Sequence, residues 1–332
     1  TCSEYGHIWI NRYSAEGLPL LSLFGSRHGW DGVFPFCYDD GSNALSEAMF
    51  GYFAMRNNTV QLAHQIACNN LITRDYNKNA DKETVAVPLS EEKEMELFKR
   101  DHHTYSFGFN GLGLDMREAF FNPTGVDPTG LLPRPQFEPI VKEGTKLEEI
   151  IVHDKTKSND YLRYDMSIPA RHWLSASQGK TQLFTGFTDR YETYPFGKGY
   201  LEFKDNNLGW ATVTMTEISQ DEEGTHYLLV ITGEMRNTNQ QYQQILDNKI
   251  TLNNSGIDTF GTAPVLCECL SARFHTQSNN DLVYYPLDEA GNRKEELSPA
   301  VWGDSQVLYL SSEYQTIWYE IVVKQGVFQN DE

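Results

Sequence analysis

The side chains best suited to chemistry in this sequence are carboxylates set among aromatic rings. Arg27-His28-Gly29-Trp30-Asp31 puts a base, a ring face and an acid in one glycine-rich stretch, and Asp39 and Asp40 follow closely. Saccharide clefts combine such rings with acids, and glycoside hydrolysis needs two carboxyl groups about 5–10 Å apart. Asp31, Asp39 and Glu118 are the candidates for that pair, with Trp30 and His28 as the binding platform. Ordinary packing is the competing explanation, since 18 Tyr, 18 Phe and 6 Trp bring rings beside acids somewhere.

Other constellations point less sharply. Asp101-His102-His103 is the densest titratable cluster, and His102 and His103 are the weak metal candidates. Neighbours in sequence point apart in helix and strand alike, and a metal needs three or more converging ligands, so a helix-end role competes. Cys267-Glu268-Cys269 with His275 departs from Cys-x2-Cys zinc spacing and reads as small buried side chains. Ser175 and Ser177 follow Arg171-His172-Trp173 without the Gly-x-Ser-x-Gly elbow. Gly111-Leu112-Gly113 and Gly197-Lys198-Gly199 lack the rest of a phosphate loop. No cofactor is expected; calcium is the one ion that Asp39, Asp40, Asp154 or Asp288-Glu289 would suit, without the twelve-residue loop pattern.

Charge excludes some partners. Lys and Arg number 27 against 46 Asp and Glu, a formal charge of −19, and the densest basic run, Lys155 to Lys157, lies among Asp154 and Asp160. Phosphate backbones and anionic lipid need clustered cations, so neither nucleic acid nor a membrane surface is expected as the main partner. No apolar run approaches the length of a membrane helix. Five cysteines make a poor disulfide framework, and no charged-then-apolar leader is seen, which suggests reduced thiols and synthesis in the cytoplasm. The sequons at Asn57 and Asn253 carry no weight without a secretory route.

Periodicity then suggests the elements that would position these groups. Ser42 or Asn43 can cap a helix carrying Leu45, Ala48, Met49, Tyr52 and Phe53, and a second helix runs from about Val60 to Leu71. A third, acidic helix spans Ser90 to Arg100, whereas Gly25 to Tyr38 reads as an ordered loop. Seven prolines and glycines between Asn122 and Pro139 exclude helix and central strand and mark a connecting arm. Beyond it, Lys146 to Val152, Trp210 to Ile218, Thr225 to Met235, Asp281 to Leu287, Gln306 to Leu310 and Tyr314 to Val323 are strand-like. Trp210 to Met235 forms a hairpin, and Thr238 to Asp247 is a short helix.

The expected fold is α+β and β-dominated, an N-terminal helical segment followed by an antiparallel β-sandwich or barrel-like region. The expected division is 1–121 mixed helix and loop, 122–139 arm, and 140–332 mainly β. From that arm and the polar, ring-rich strands, the leading expectation is a non-enzymatic, self-assembling structural protein, a virion capsid, tail or fibre subunit, whose partners are copies of itself and other assembly proteins. The competing expectation is a glycan-active hydrolase using paired carboxylates beside an aromatic cleft.

Overall fold

The computed structural model of this chain describes residues 1–41, 47–75, 95, 162–168, 171–246, 249–252, 260–277 and 281–324, together with three further strands at 85–89, 124–128 and 156–158. The α-helices with described bounds are α1 (Gly17–Arg27), α2 (Thr59–Ala63) and α3 (Gln65–Thr73), and short 3-10 turns occur at Ser14–Glu16 and Ser312–Tyr314. The strands begin with β1 (Cys2–Tyr5), β2 (Val33–Pro35), β3 (Val85–Leu89), β4 (Thr124–Pro128), β5 (Thr156–Ser158), β6 (Leu162–Asp165), β7 (Trp173–Gln178), β8 (Thr181–Phe187), β9 (Thr193–Phe196) and β10 (Gly199–Phe203). They continue with β11 (Trp210–Gln220), β12 (Thr225–Thr232), β13 (Met235–Thr238), β14 (Tyr242–Leu246), β15 (Lys249–Leu252) and β16 (Thr262–Cys267). The last are β17 (Ala272–Thr276), β18 (Leu282–Pro286), β19 (Ala300–Trp302), β20 (Ser305–Leu310) and β21 (Trp318–Val323).

Two antiparallel sheets face each other. The larger has the order β18-β21-β12-β11-β8-β7-β6-β5 and the smaller β19-β20-β17-β10-β9. Phe184, Val213, Leu229, Tyr319 and Ile321 from the first meet Phe196, Leu201, Phe203, Phe274 and Leu308 from the second, all buried. The fold is therefore α+β and β-dominated, with an antiparallel β-sandwich after an N-terminal helical segment. The anticipated hairpin is present, with Thr214 opposite Val230 and Thr216 opposite Leu228 across β11 and β12. The alternation in β21 also holds: Tyr319 and Ile321 enter the core between the sheets, while Trp318 packs on the other side.

That other face of the large sheet explains the chain's polar composition. Thr212, Thr214, Thr216 and Thr232 are at most 1% exposed, and they alternate with Val213 and Met215 of the sandwich core. The helices cover them. His64, between α2 and α3, places Nδ1 2.8 Å from Thr214 Oγ1 and Nε2 2.9 Å from Thr232 Oγ1. Asn70 donates to Thr216 Oγ1, and Thr181 Oγ1 donates to Asp75, whose carboxylate also receives two bonds from Arg74. Leu23 of α1 and Leu71 of α3 pack on Leu162, Leu174, Ala176 and Leu183. Thus the hydroxyls of a nominally polar strand face are satisfied within the chain, as buried donors and acceptors must be.

On the opposite side of α1, Leu18 packs with Tyr5, Met55, Leu62 and Cys68. β1 and β2 pair in parallel there, joined by α1 as a β–α–β unit. Because α1 has apolar contacts on both sides, it lacks a one-sided stripe, and Leu18 to Phe24 does not read as an amphipathic helix in the sequence.

Several expectations are corrected. Ala48 to Phe53 is not helical, because its backbone serves tertiary partners: Met49 N–H donates to Asn237 Oδ1, Asn237 Nδ2 donates to Met49 O, and Tyr52 and Phe53 carbonyls accept from Trp9 and Cys37. The second helix is present but breaks at His64, with Asn58 as its cap accepting from Gln61 N–H. Residues 25–38 contain the end of α1 and the strand β2 rather than loop alone. The helix expected over Thr238 to Asp247 is absent from its described residues, 238–246; Tyr242–Leu246 pairs antiparallel with Lys249–Leu252. Within the proline tract, Thr124–Pro128 pairs in parallel with Val85–Leu89, in a two-stranded sheet where neither strand is central. The helix over Ser90 to Arg100, apart from Met95, and the strand over Lys146 to Val152 lie outside the described residues.

One turn of β8 is sterically specified. Gly186 has φ +141°, and a Cβ built there would stand 2.4 Å from Trp173 Cα and 2.5 Å from His172 O. Gly186→Ala is expected to cost more than about 1 kcal/mol, measured by urea denaturation, because both the backbone conformation and the close strand approach exclude a methyl group.

Candidate functional site

The β1–α1–β2 unit sorts the candidate residues by the end of the strands they occupy. α1 ends in a Schellman arrangement: Gly29 has φ +66°, Trp30 N–H donates to Gly25 O at 2.9 Å, and Trp30 meets Phe24 edge-on at 5.4 Å. His28 stacks on Phe24 at 3.9 Å. Trp30 and His28 are thereby occupied in the helix cap, and Asp31 lies beside them, before the amino end of β2. Asp39 follows the carboxyl end of β2, so the strand separates the two acids that the sequence suggested as a pair. Glu118, His102 and His103 lie outside the described residues.

The carboxyl ends of β1 and β2 gather different groups. Cys2 pairs with Val33 and Tyr5 with Pro35, with an irregularity between them; Ser3 and Glu4 are exposed, whereas Tyr5 packs with Leu18 and Cys68. Exposed Phe34 and Phe36 flank them on β2 and just beyond it. The ladder then extends, since Cys37 N–H donates to Phe53 O and Met55 N–H to Cys37 O. This brings exposed Tyr38, Tyr52 and Phe53 to the same rim. Asp39 accepts from Arg56 Nη1 at 2.9 Å and from Gly41 N–H at 2.8 Å, and those bonds hold its carboxyl below the usual range.

Behind the rim runs a short relay. Asn11 Oδ1 accepts from Tyr13 N–H, which turns its Nδ2 toward His7 Nε2 at 2.8 Å. Nε2 therefore accepts, and the proton sits on Nδ1, 3.0 Å from the Tyr5 hydroxyl. Burial lowers the His7 pKa, consistent with this neutral ring, and burial with the nearby Glu16 pushes Tyr5 up to about 12.

The β1–α1 loop also walls a cleft against the large sheet. Tyr13, Glu16, His172, Trp173, Phe187 and Trp210 surround a volume of about 320 Å³. Tyr13 meets Phe187 and Trp210 edge-on at 5.6 and 5.4 Å. Burial raises the Glu16 pKa to about 7. The same loop is tied to the sandwich by Arg12, whose Nε and Nη2 donate to Glu234 at 2.6 and 2.9 Å.

The remaining clusters hold themselves together. His226 lies between Glu320 at 2.7 Å and Asp221 at 2.8 Å, and Arg293 donates twice to the same Glu320. His275 faces Glu202, away from any partnership with Cys267 and Cys269, which are free thiols raised in pKa by burial. Ser175 Oγ donates to Pro195 O rather than meeting a base. No group of three or more potential metal ligands occurs among the described residues, and no helix there is long and apolar enough to cross a membrane.

Glu4, Glu16 and Arg12 are missed by sequence reasoning. The signal for the first was faint: Cys2–Tyr5 has two polar residues among four and Val33–Pro35 is only three residues long, so the β–α–β pattern around α1 does not stand out. Comparison with family models, with curated proteins and with solved structures finds no match for this chain.

Proposed function

We propose that this chain is a glycan-active hydrolase, with the acid rim at the carboxyl ends of β1 and β2 meeting the saccharide and the sandwich supporting that rim. The observation that carries the reading is Glu4, an exposed carboxylate on β1, in a parallel pair whose other strand and its extension expose Phe34 and Phe36. In parallel β–α units ligands meet the carboxyl ends of the strands, where the loops diverge and can carry chemistry. Pyranose rings stack their C–H faces on aromatic rings and offer hydroxyls to acids. Glycoside hydrolysis requires one carboxyl group to protonate the leaving oxygen and a carboxylate to attack the anomeric carbon or activate water. Glu4 supplies one of these groups, and Asp39, kept ionised by Arg56, supplies negative charge on the same rim.

The test is release of reducing ends from a panel of polysaccharides and aryl glycosides. Turnover is expected on at least one substrate, and Glu4→Gln should lower it at least about a hundredfold with an unchanged melting profile. Absence of turnover across the panel, or full activity in Glu4→Gln, overturns the proposal.

Self-association is the second reading, as for a capsid, tail or fibre subunit, and one observation favours it: the edge strand β19 exposes Val301 at 79% and Trp302 at 66%. An exposed apolar edge is a template for another chain. Against it, the buried threonine face of the large sheet is already covered by α2 and α3. Light scattering separates the readings: a high-order oligomer dissolved by Trp302→Lys supports assembly, and a monomer removes it.

A further inference from the structure

The cleft between the β1–α1 loop and strands β7, β8 and β11 contains an acid that the rim chemistry does not use. Carboxylates elsewhere on this side of the large sheet carry their own cations: Glu234 has Arg12, Asp75 has Arg74 and Glu217 has Lys180. Glu16 has no hydrogen bond or ion pair through its side chain among the described residues, although it is half-buried. Neither Lys nor Arg lines the cleft; apart from Glu16, its titratable lining groups are His172, Tyr13 and Tyr164. Tyr13, Phe187 and Trp210 contribute rings to the cleft, whereas the Trp173 ring turns into the sandwich core against Phe184 and Tyr194.

From this geometry we infer that the cleft binds a small organic cation, an ammonium group of the choline or alkylamine class. The chemistry is complementary on two counts. Ring faces carry negative quadrupole charge and attract a cation within about 6 Å, most strongly where water is excluded. The Glu16 carboxylate supplies the formal counter-charge, so the ligand provides the partner that the fold leaves out. A volume of about 320 Å³ accommodates such a head group without the room needed for an extended chain. Burial disfavours the ionised acid in the empty cleft, as the raised Glu16 pKa reflects, and an entering cation reverses that preference.

This inference does not depend on glycan chemistry, and its readout is binding. Calorimetry on the full chain would compare choline with its uncharged carbon isostere, which has the same shape and no charge. Choline is expected to bind at least about tenfold more tightly than the isostere, and Glu16→Gln to weaken choline at least about tenfold while leaving the isostere unchanged. Equal binding of choline and isostere overturns the proposal, as does absence of heat with choline at concentrations of about 10 mM. Binding of a neutral monosaccharide in preference to choline also overturns it and assigns the cleft to sugar. Because both ligands are compared on unmodified protein, a folding defect in Glu16→Gln leaves the proposal testable.

Discussion

Arg12→Ala is expected to destabilise the protein by about 3 kcal/mol in chemical denaturation. Arg12 makes two charge-assisted bonds to Glu234, whose side chain is only 4% exposed, and its guanidinium lies 5.6 Å from the Tyr242 ring. The cost comes less from the lost attraction than from leaving a buried carboxylate without a counter-ion. Adding Glu234→Gln to Arg12→Ala removes that charge and should recover part of the loss, giving a coupling energy above about 1 kcal/mol in a double-mutant cycle. Additive effects would mean that the pair is incidental. The bridge joins residues 222 apart and fixes the loop that carries Tyr13 and Glu16. Its loss should therefore weaken ligands in the aromatic cleft as well as the fold.

Acidification should expose the second large effect. His64 is fully buried between two threonine hydroxyls, and burial pushes its pKa down to about 3. An unfolded chain takes up this proton near the ordinary histidine value of about 6.5, whereas the folded chain holds the ring neutral far below it. Its contribution is complete above about pH 6.5 and is lost as pH falls, at up to about 1.4 kcal/mol per pH unit. Between pH 7 and pH 5 this amounts to about 2 kcal/mol. His226 acts in the opposite sense. Burial works against its charge, but the bonds to Glu320 and Asp221 prevail and raise its pKa, so its contribution is present at low pH and fades as pH rises through the raised value. Comparing wild type with His64→Gln at both pH values cancels His226 and the carboxylates. The wild type should lose about 2 kcal/mol more than the variant, and equal losses would show that the imidazole is not held neutral.

The legible parts of the fold are those governed by neighbours in sequence. Alternation in Trp318 to Val323, the Asp221 to Gly224 turn and the apolar spacing from Val60 to Leu71 each encode their element locally, because strand and helix periods act over a few residues, whereas Ile317, just before the strand, packs with Trp318 rather than with Tyr319. The α+β, β-dominated class followed from those signals. Proline's missing donor argued against a central strand in the proline tract, and the part of it that is described, Thr124–Pro128, pairs in a two-stranded sheet.

Contacts between distant residues decided the rest. Ala48 to Phe53 has a helical pattern, yet Asn237 and Cys37 take its backbone hydrogen bonds, and no local rule anticipates partners up to 188 residues away. α1 is hidden for the converse reason: apolar contacts on two sides erase the stripe that would announce it. The threonines of β8, β11 and β12 carry polar hydroxyls, and they are buried because His64, Asn70 and Asp75 satisfy Thr214, Thr232, Thr216 and Thr181 from the helices and the chain just beyond. The candidate sites divide in the same way. Composition alone indicated rings among acids, but which acids share an end of a strand depends on the parallel pairing of β1 with β2, and Arg12, four residues before Glu16, is committed to Glu234 only by the fold. Residue types and their spacing are properties of the chain, whereas convergence and the absence of a counter-ion are properties of the folded arrangement.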